Sequence, residues 1–223
     1  MQGQFMYASN YTFLVDVIYE AETYKAVYKP VQGERPLWDF PTGTLSQREA
    51  AAFIVSEALG WNLVPPTVYV ETGPYGAGSI QIYIDHDLEA QQFPFKEEDE
   101  TQLKRIAVFD VLINNADRKF GHILRDHESY LWCIDHGICF HEEDKLRTVV
   151  WDFVGEKFSQ SIQNDLMQVS DELVSTGALY EHLRSLIVAT EIEALRKRAE
   201  NLAKTAQYPY PDETKPHIPW PPV

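Results

Sequence analysis

The sequence lacks the features that mark a secreted or membrane-spanning protein. It has only two cysteines, Cys133 and Cys139, and one pair six residues apart does not suggest a disulfide framework. No apolar run approaches the roughly 20 residues that a membrane-spanning helix needs, and the N-terminus has no basic stretch followed by an apolar one, as a signal peptide would. We therefore expect a cytoplasmic protein with reduced, buried thiols and no membrane anchor.

Basic residues are also scarce. The chain has 19 lysines and arginines against 34 aspartates and glutamates, which gives a formal charge of −15 and a pI near 4.8. Nucleic acids and anionic lipid surfaces are bound through a basic field, because phosphate repels an acidic protein. The charge therefore excludes a general affinity for either, and we expect no nucleic-acid partner.

Strand-forming residues dominate the first third of the chain. Residues 11–19 and 24–29 are rich in β-branched and aromatic side chains and are separated by a short polar turn, which predicts a hairpin. Residues 67–71 and 79–84 predict a second hairpin across the glycine-rich segment 72–78. The first third of the chain therefore predicts a small antiparallel sheet.

Helical signals lie between the hairpins and after them. Ser46 and, three residues later, Glu49 match a capping box, so we expect a helix that opens at Ser46 and closes at Gly60. Dense apolar residues predict a buried helix over about residues 103–115. Apolar residues at roughly helical spacing predict one long helix over residues 178–204.

Residues 109–140 carry the most informative pattern. Two short apolar strands flank the segment DRKFGH, which begins at Asp117, and a segment IDHG follows, whose aspartate is Asp135. A protein-kinase-like phosphotransfer site needs one carboxylate to orient the attacking group, a polar metal ligand five residues on, and a second carboxylate at a nearby strand end. Asp117, His122 and Asp135 occupy these three places, which predicts such a site.

Each part of this site has a candidate residue. Asp117 would accept or orient the proton of the attacking group, Lys119 would face the transferred phosphate, and Asp135 would bind metal. Lys29, at the end of a predicted strand, would reach the α and β phosphates, with Glu49 as the carboxylate that holds it. A capping-box glutamate instead bonds to its own helix terminus, so both roles stay open for Glu49.

His122 stands where kinases usually place asparagine. Mg²⁺ prefers oxygen ligands, so an imidazole suits Mn²⁺ or a softer metal better. We therefore predict ATP with Mg²⁺ or Mn²⁺ as cofactors, with Asp135 as the principal metal ligand and His122 as a second. A structural histidine that is hydrogen-bonded within the loop is the alternative.

A zinc site is a further alternative, because four soft ligands lie within nine residues at Cys133, His136, Cys139 and His141. Structural zinc sites usually combine two separated ligand pairs so that the chain can wrap the ion. One compact strand-turn-strand run does this less easily. The pattern therefore favours buried thiols with a histidine in the turn.

At these residues the sequence resembles the phosphatidylinositol 3-/4-kinase-like superfamily, and most closely small bacterial phosphatidylinositol kinase-like proteins, over most of its length. Residues 28–30 (YKP) look like the lysine strand of type II phosphatidylinositol 4-kinases, residues 115–118 (NADR) like their catalytic loop, and residues 134–137 (IDHG) like their metal-binding segment. The resemblance implies a bilobal kinase-like fold with ATP in the cleft. It does not transfer the lipid substrate.

The same resemblance implies two further contacts with the nucleotide. Residues 8–13 are similar to a serine-bearing phosphate loop, in which Ser9 and Asn10 would place donors near the phosphates, although a plain β-turn explains the same residues. The segment from residue 81 would form the hinge, with backbone groups near Ile84 and Asp85 reading adenine.

We thus expect an α+β, bilobal protein-kinase-like fold, in which a polar, acidic segment connects the lobes. A small β-rich N-lobe would cover residues 1–87, a mainly helical C-lobe residues 88–207, and a proline-rich tail residues 208–223. The six prolines of the tail exclude regular structure. Tyr210 and Trp220 suggest that it packs back on the domain, and a disordered tail is the alternative.

The expected function is ATP-dependent phosphotransfer to a protein hydroxyl or a small soluble molecule rather than to a membrane lipid. Two alternatives keep the fold. The chain could be a pseudokinase that binds nucleotide and acts as an interaction module, or an AMP transferase in which ATP lies reversed. The three differ in product: ADP for a kinase, pyrophosphate for an AMP transferase, and neither for a binding module.

Overall fold

The N-terminal part of the protein is built on an antiparallel sheet. The computed structural model describes residues 3–4, 11–86 and 95–223. The strands of the sheet are β1 (Gly3–Gln4), β2 (Phe13–Tyr19), β3 (Glu22–Pro30), β4 (Thr67–Val70) and β5 (Gly78–Ile82). They join in the order β1-β2-β3-β5-β4, so both predicted hairpins are confirmed. The pairing of β3 with β5 places the second hairpin beside the strand that carries Lys29.

The side-chain alternation of β3 directs Lys29 away from the core of the sheet. Ala26 and Tyr28 are fully buried and pack with Val15 of β2. Because successive side chains of a strand point to opposite faces, Lys29 faces the other side. Gly78 lies opposite the end of β3, where a Cβ atom would come 2.5 Å from the carbonyl oxygen of Lys29. A glycine here therefore permits the close approach of β5 to the lysine strand.

The C-terminal part is mainly helical and includes one small hairpin. The hairpin is β6 (Ile123–Arg125) with β7 (Leu131–Cys133), and the helices of the protein are α1 (Leu45–Ala58), α2 (Glu100–Ile113), α3 (Gln160–Glu172), α4 (Ala178–Leu183) and α5 (Ala189–Thr205). The predicted helix over residues 103–115 is confirmed as α2, which ends at Asn114 in a left-handed conformation. None of the helices within the described ranges has the length and apolarity needed to cross a membrane.

The prediction of one long helix over residues 178–204 was wrong. The chain forms α4 and α5 with a turn between them, in which Val188 is extended and Ile187 is buried. The restart gives α5 its own N-terminus, where the carboxylate of Glu191 accepts a hydrogen bond from the Val188 amide at 3.3 Å. Glu191 also pairs with Arg48 of α1. The apolar pattern continues across the turn and so gave no sign of it.

The predicted capping box at the start of α1 was also wrong. The helix begins at Leu45, and the N-cap residue Thr44 makes no side-chain bond to it. The cap comes from Glu34, whose carboxylate accepts hydrogen bonds from the amides of Leu45 (3.2 Å) and Ser46 (2.8 Å). Glu49 is therefore not used as a cap, and its carboxylate is available to other partners.

The tail, residues 208–223, has neither helix nor strand and packs on the C-terminal part. This agrees with the first of the two expectations for it. Its contacts come mainly from Tyr208, which is buried, and from backbone carbonyls. The His217 carbonyl accepts hydrogen bonds from the Thr148 amide, and the Pro222 carbonyl accepts one from the Phe120 amide at 2.9 Å. Trp220, by contrast, is 90% exposed. The predicted lobe boundary at residue 87 lies outside the described residues.

A buried ion pair ties α1 to the helical part. Arg48 is 2% exposed, and its guanidinium lies 2.7 Å from the carboxylate of Glu191 on α5 and donates a hydrogen bond to the Cys139 carbonyl at 2.6 Å. The ring of Phe40 covers the guanidinium at 5.0 Å. Apolar residues of the same helix, such as Val55, belong to the main core of the C-terminal part. Helix α1 is thus held against the helices and not only against the sheet.

We predict that Arg48→Met destabilises the protein by about 3–5 kcal/mol, because methionine fills the space but leaves Glu191 buried without its cation. Urea unfolding of both proteins measures the difference. The matched control is Arg184→Met, which removes an exposed pair with Glu181 and should cost about 0–1 kcal/mol. Equal stability of the two variants would show that the buried pair does not hold α1.

Candidate active site

A cavity of about 740 Å³ opens between the sheet and the helical part, and six of the ten predicted site residues line it. Its volume lies within the range of about 300–1,000 Å³ typical of ligand sites. The six come from four separate segments: the end of β3, helix α1, the loop after α2 and the loop after β7. They are Lys29, Glu49, Asp117, Lys119, His122 and Asp135.

Lys29 lies at the centre of the site between two carboxylates. Its ammonium is 2.7 Å from one oxygen of Glu49 and forms a second hydrogen-bonded ion pair with Asp135. The other oxygen of Glu49 accepts a hydrogen bond from the His136 amide at 2.9 Å. Glu49 therefore binds both the lysine strand and the backbone of the IDHG segment.

The charges of the three groups stabilise one another. Burial alone would lower the pKa of the Lys29 ammonium, but the carboxylates of Asp135 and Glu49 outweigh it and hold that pKa above its usual range. The surrounding protein would raise the pKa of the Asp135 carboxyl, but Lys29 and His122 outweigh this and hold it below its usual range. Lys29 is thus a cation and Asp135 an anion at neutral pH.

Asp135 also has an unusual backbone. Its φ angle of 59° lies in the left-handed region, which residues other than glycine rarely adopt. Such conformations cost about 1–3 kcal/mol each and cluster at functional sites, where the surrounding structure holds them. The hydrogen bond from the next amide, that of His136, to Glu49 is one contact that fixes this turn.

Asp117 and Lys119 face the cavity from the loop after α2. The Lys119 ammonium is 3.2 Å from the Asp117 carboxylate, and both side chains are partly exposed. The Asp117 amide donates a hydrogen bond to the side-chain oxygen of Asn115 at 3.0 Å, which makes a local turn. This turn presents a carboxylate and an ammonium side by side to the same space as Asp135.

A buried network under the loop holds it in place. The carboxylate of Asp110 accepts hydrogen bonds from Asn115 (3.0 Å), Thr148 (2.8 Å) and the guanidinium of Arg118 (3.0 Å). All three of these bonds come from side chains, and they brace the loop from below. The Arg118 guanidinium also lies 2.7 Å from Nε2 of His136, so one buried cation joins the loop to the IDHG segment.

His122 is oriented toward Asp135, with its Nε2 atom 3.4 Å from the carboxylate. Burial, with a further contribution from the Arg118 charge, lowers the pKa of the imidazole below its usual value despite the neighbouring carboxylates. It is therefore neutral at pH 7, the form in which histidine binds metals. Its buried Nδ1 atom makes no hydrogen bond within the part of the chain that the structure describes.

The donor set fits a metal that is shared with phosphate. Mg²⁺ is usually held by one or two carboxylates together with substrate phosphates rather than by an all-protein cage. Asp135 and His122 supply two such donors. Among residues 11–86 and 95–223, no group of three or more His, Cys, Asp or Glu side chains is arranged to hold an ion.

The zinc alternative at Cys133, His136, Cys139 and His141 is therefore not supported. Both cysteines are buried and free, and burial raises the pKa of the Cys133 thiol to about 12. Zinc binds the thiolate form. The structure favours the other interpretation of these residues, which is two buried thiols with a histidine in the turn.

The other four predicted residues fall into two groups. Ser9 and Asn10 lie outside the described residues. Ile84 and Asp85 do not line the cavity: the Ile84 carbonyl bonds to the ring of His86, and the exposed Asp85 side chain faces His127 at 3.5 Å. The expectation for these two rested on the family resemblance alone, and no contact of theirs with the described cavity supports it.

Several residues that line the cavity were not predicted from the sequence, among them Thr12, Glu34, Arg35 and Ser46. Glu34 lines the cavity because its carboxylate caps α1. The amides that it accepts from lie 11 and 12 positions further along the chain, and no local sequence pattern predicts such a cap. Ser46 donates a hydrogen bond to the Lys29 carbonyl at 3.0 Å. In the sequence, only the position of Ser46 near the start of a predicted helix indicated that it could lie near the site.

No protein-family model matches the chain. Protein Rv2133c of Mycobacterium tuberculosis (strain ATCC 25618 / H37Rv) is 39% identical to this chain over an alignment of 254 positions. The alignment covers 98% of this chain and 90% of that protein. Phosphatidylinositol 4-kinase gamma 4 of Oryza sativa subsp. japonica is 33% identical over 127 residues, or 47% of this chain and 22% of the plant protein. Phosphatidylinositol 4-kinase gamma 1 of Arabidopsis thaliana is similar over a comparable share.

Two solved structures share the fold. Hydra Fam20, determined with sugar, superposes with a TM-score of 0.55 over 89% of this chain and 82% of its own. The Helicobacter pylori proinflammatory kinase CtkA superposes with a TM-score of 0.54 over 93% of this chain and 91% of its own. Sequence identity is 12% in both cases, so the likeness shows the fold alone. The predicted α+β, bilobal kinase-like fold is confirmed.

We predict that Glu49→Gln destabilises the protein by about 1–3 kcal/mol. A carboxylate accepts hydrogen bonds at both ends, from Lys29 and from the His136 amide, whereas an amide group accepts at one end only and leaves one donor unpaired. Urea unfolding measures the loss. Glu57→Gln, an exposed change on the same helix, is the matched control and should stay within about 0.5 kcal/mol. A Glu49 variant as stable as the control would mean that the double contact contributes little.

Proposed function

We propose that this chain, which belongs to the same family as Protein Rv2133c of Mycobacterium tuberculosis, is a phosphotransferase that moves the γ-phosphoryl group of ATP to a hydroxyl group. One observation carries the proposal. Lys29 lies between Glu49 and Asp135 in a cleft that also contains the Asp117 carboxylate. Phosphoryl transfer asks little covalent chemistry of a protein and depends on placing charges of this kind around the phosphates.

Asp117 is the residue that we assign to the acceptor. The hydroxyl oxygen forms a bond to the γ-phosphorus, the bond from that phosphorus to the β–γ bridging oxygen breaks, and ADP leaves. The hydroxyl proton passes to the Asp117 carboxylate. Lys119, whose ammonium is 3.2 Å from this carboxylate, offsets the negative charge of the transferred group.

Lys29 would bind the nucleotide, and Asp135 would bind the metal. Lys29 is positioned by Glu49 to hold the α and β phosphates, and Asp135 and His122 are the donors for Mg²⁺ or Mn²⁺. A metal bound there would neutralise charge on the phosphates. Lys29 and Asp135 pair directly with each other, so the ammonium that would hold phosphate lies beside the carboxylate that would hold the metal.

The acceptor that fits best is a protein hydroxyl or a small soluble molecule. Two plant relatives are named phosphatidylinositol 4-kinases, but the aligned segments cover less than a quarter of each plant protein. A formal charge of −15 opposes binding to an anionic lipid surface. The same charge and the lack of a membrane-crossing helix among those described agree with action in the cytoplasm.

His122 is the observation that favours the alternatives. A neutral imidazole is a weaker ligand for Mg²⁺ than the asparagine oxygen usual in kinases. A chain that binds nucleotide without turning it over would act as an interaction module. An AMP transferase would release pyrophosphate from the same cleft, so product identity separates all three.

We expect ATP with Mg²⁺ or Mn²⁺ to raise the unfolding temperature. Ligand at about 100 times its dissociation constant adds about 2.7 kcal/mol, and each kcal/mol corresponds to about 2–4 °C in a protein of this size. The metal-dependent part of the shift should be lost in Asp135→Asn and kept in the exposed control Asp171→Asn. No shift with either metal, in protein that unfolds cooperatively, would refute the nucleotide site.

We also expect Asp117→Asn to lower ADP formation by about 10²–10⁴-fold, since it removes the group that receives the proton. The nucleotide-dependent thermal shift should remain, because Asp117 is not assigned to the phosphates. Turnover is read from ADP and pyrophosphate in the same samples. Pyrophosphate without ADP would replace the kinase assignment with AMP transfer, and unchanged ADP formation would remove Asp117 from the mechanism.

A further inference from the structure

A second cavity lies directly beside the catalytic loop. It has a volume of about 630 Å³, and Phe120 forms one of its walls. The residues on either side of Phe120, Lys119 and Gly121, line the first cavity. The two cavities are therefore separated by the thickness of one residue. The second is lined by Phe95, Lys96, Glu97, Glu100, Leu103, Phe120, Val149, Asp152, Phe153 and Glu156.

This cavity combines an apolar floor with an acidic rim. The floor consists of five apolar residues from the segment before α2, from α2 itself, from the catalytic loop and from the loop before α3. Leu103 and Phe153 are buried, and the rings of Phe95 and Phe120 lie 6.2 Å apart. Four of the remaining five lining residues are carboxylates, and they lie toward the solvent.

The protein already binds one cation with these groups. The Lys104 ammonium lies 5.3 Å from the centre of the Phe153 ring, 2.6 Å from a Glu100 oxygen and 2.9 Å from a Glu156 oxygen. An aromatic face with two carboxylates is a favourable site for lysine or arginine. Lys104 occupies this site, so a cation that enters from outside depends on the other two carboxylates of the rim and on the apolar floor.

Two of the rim carboxylates have no cation of their own. Within the part of the chain that the structure describes, Glu97 and Asp152 form no ion pair. The one lysine of the rim, Lys96, pairs with Glu98, which is not a lining residue. A basic side chain in the cavity would gain two unpaired carboxylates, and its aliphatic stem would cover the apolar floor.

We propose that this cavity binds a lysine or arginine of the protein substrate, and that it thereby selects the hydroxyl that is presented to Asp117. The inference rests on the proposed function and names its acceptor class: a protein segment with a basic residue near the phosphorylated one. A lipid or nucleic-acid acceptor fits poorly, because the acidic rim repels phosphate.

The geometry fixes the spacing. Asp117 and Phe120 are three residues apart, so their Cα atoms are separated by at most about 11 Å. An extended peptide covers about 3.3–3.6 Å per residue. The basic residue of the substrate should therefore lie within about three positions of the hydroxyl residue, on either side.

Fluorescence anisotropy of labelled peptides tests the site without nucleotide. Two probes carry one arginine, three positions before or three positions after a single serine in a background of alanine and glycine, and each has a partner with glutamate in place of arginine. We expect one arginine probe to bind, its glutamate partner to bind about tenfold more weakly or not at all, and binding to weaken as ionic strength rises from about 0.1 M to about 0.5 M.

The double variant Glu97→Gln/Asp152→Asn removes charge from the rim and keeps its shape. We expect it to weaken binding of the arginine probe roughly fivefold. The matched control Glu71→Gln/Asp171→Asn removes the same number of charges from exposed residues elsewhere on the surface and should leave binding unchanged. Equal binding of the arginine and glutamate probes, absence of binding by both, or a double variant that binds like the wild type would overturn the inference.

This outcome is independent of the proposed chemistry. Arginine-selective binding that depends on the rim, in a protein that shows no ATP-dependent thermal shift, would refute the phosphotransferase assignment and keep a site for basic segments. ATP turnover without arginine selectivity would keep the phosphotransferase and refute this site.

Discussion

The Lys29 ammonium is the contact on which the arrangement of the site depends. It joins a strand of the sheet to a helix through Glu49 and to the loop after β7 through Asp135, so that three elements meet at one charge. Two carboxylates this close would repel each other without a cation between them. The position of Glu49 depends in turn on α1, which the buried pair of Arg48 and Glu191 fixes against α5. The lysine is thus held by a helix that cannot shift without breaking a second buried ion pair.

The charge balance of the cleft shows why nucleotide and metal would bind together. Four carboxylates and three cationic side chains line the cavity, which leaves no net positive charge for a polyphosphate. In a chain of formal charge −15, long-range attraction of an anion is also excluded. Asp135 would hold a divalent ion in the proposed complex, and such an ion would supply the missing charge. The same acidity that opposes a nucleotide alone favours a basic protein segment at the neighbouring cavity.

Much of the site could be predicted because its residues lie in short motifs that carry their own local structure. Asp117, His122 and Asp135 keep their spacing whatever the rest of the chain does, and the period of β3 gave the place of Lys29. What could not be predicted depends on contacts between distant residues. The cap of α1 by Glu34 arises this way, and so does the ion pair between Glu191 of α5 and the distant Arg48. Glu49 shows the limit most directly, because the choice between a local cap and an ion pair depends on whether the distant Lys29 approaches it.

The hydrogen bond from the Phe120 amide to the Pro222 carbonyl has a consequence for the order in which the protein is made. The two residues are 102 positions apart, and the ribosome adds about 5–20 residues per second. The segment that carries Asp117 therefore leaves the ribosome about 5–20 s before the tail residue that bonds to it. During that interval the Phe120 amide lacks this partner. The loop therefore gains this contact only after translation has passed Pro222.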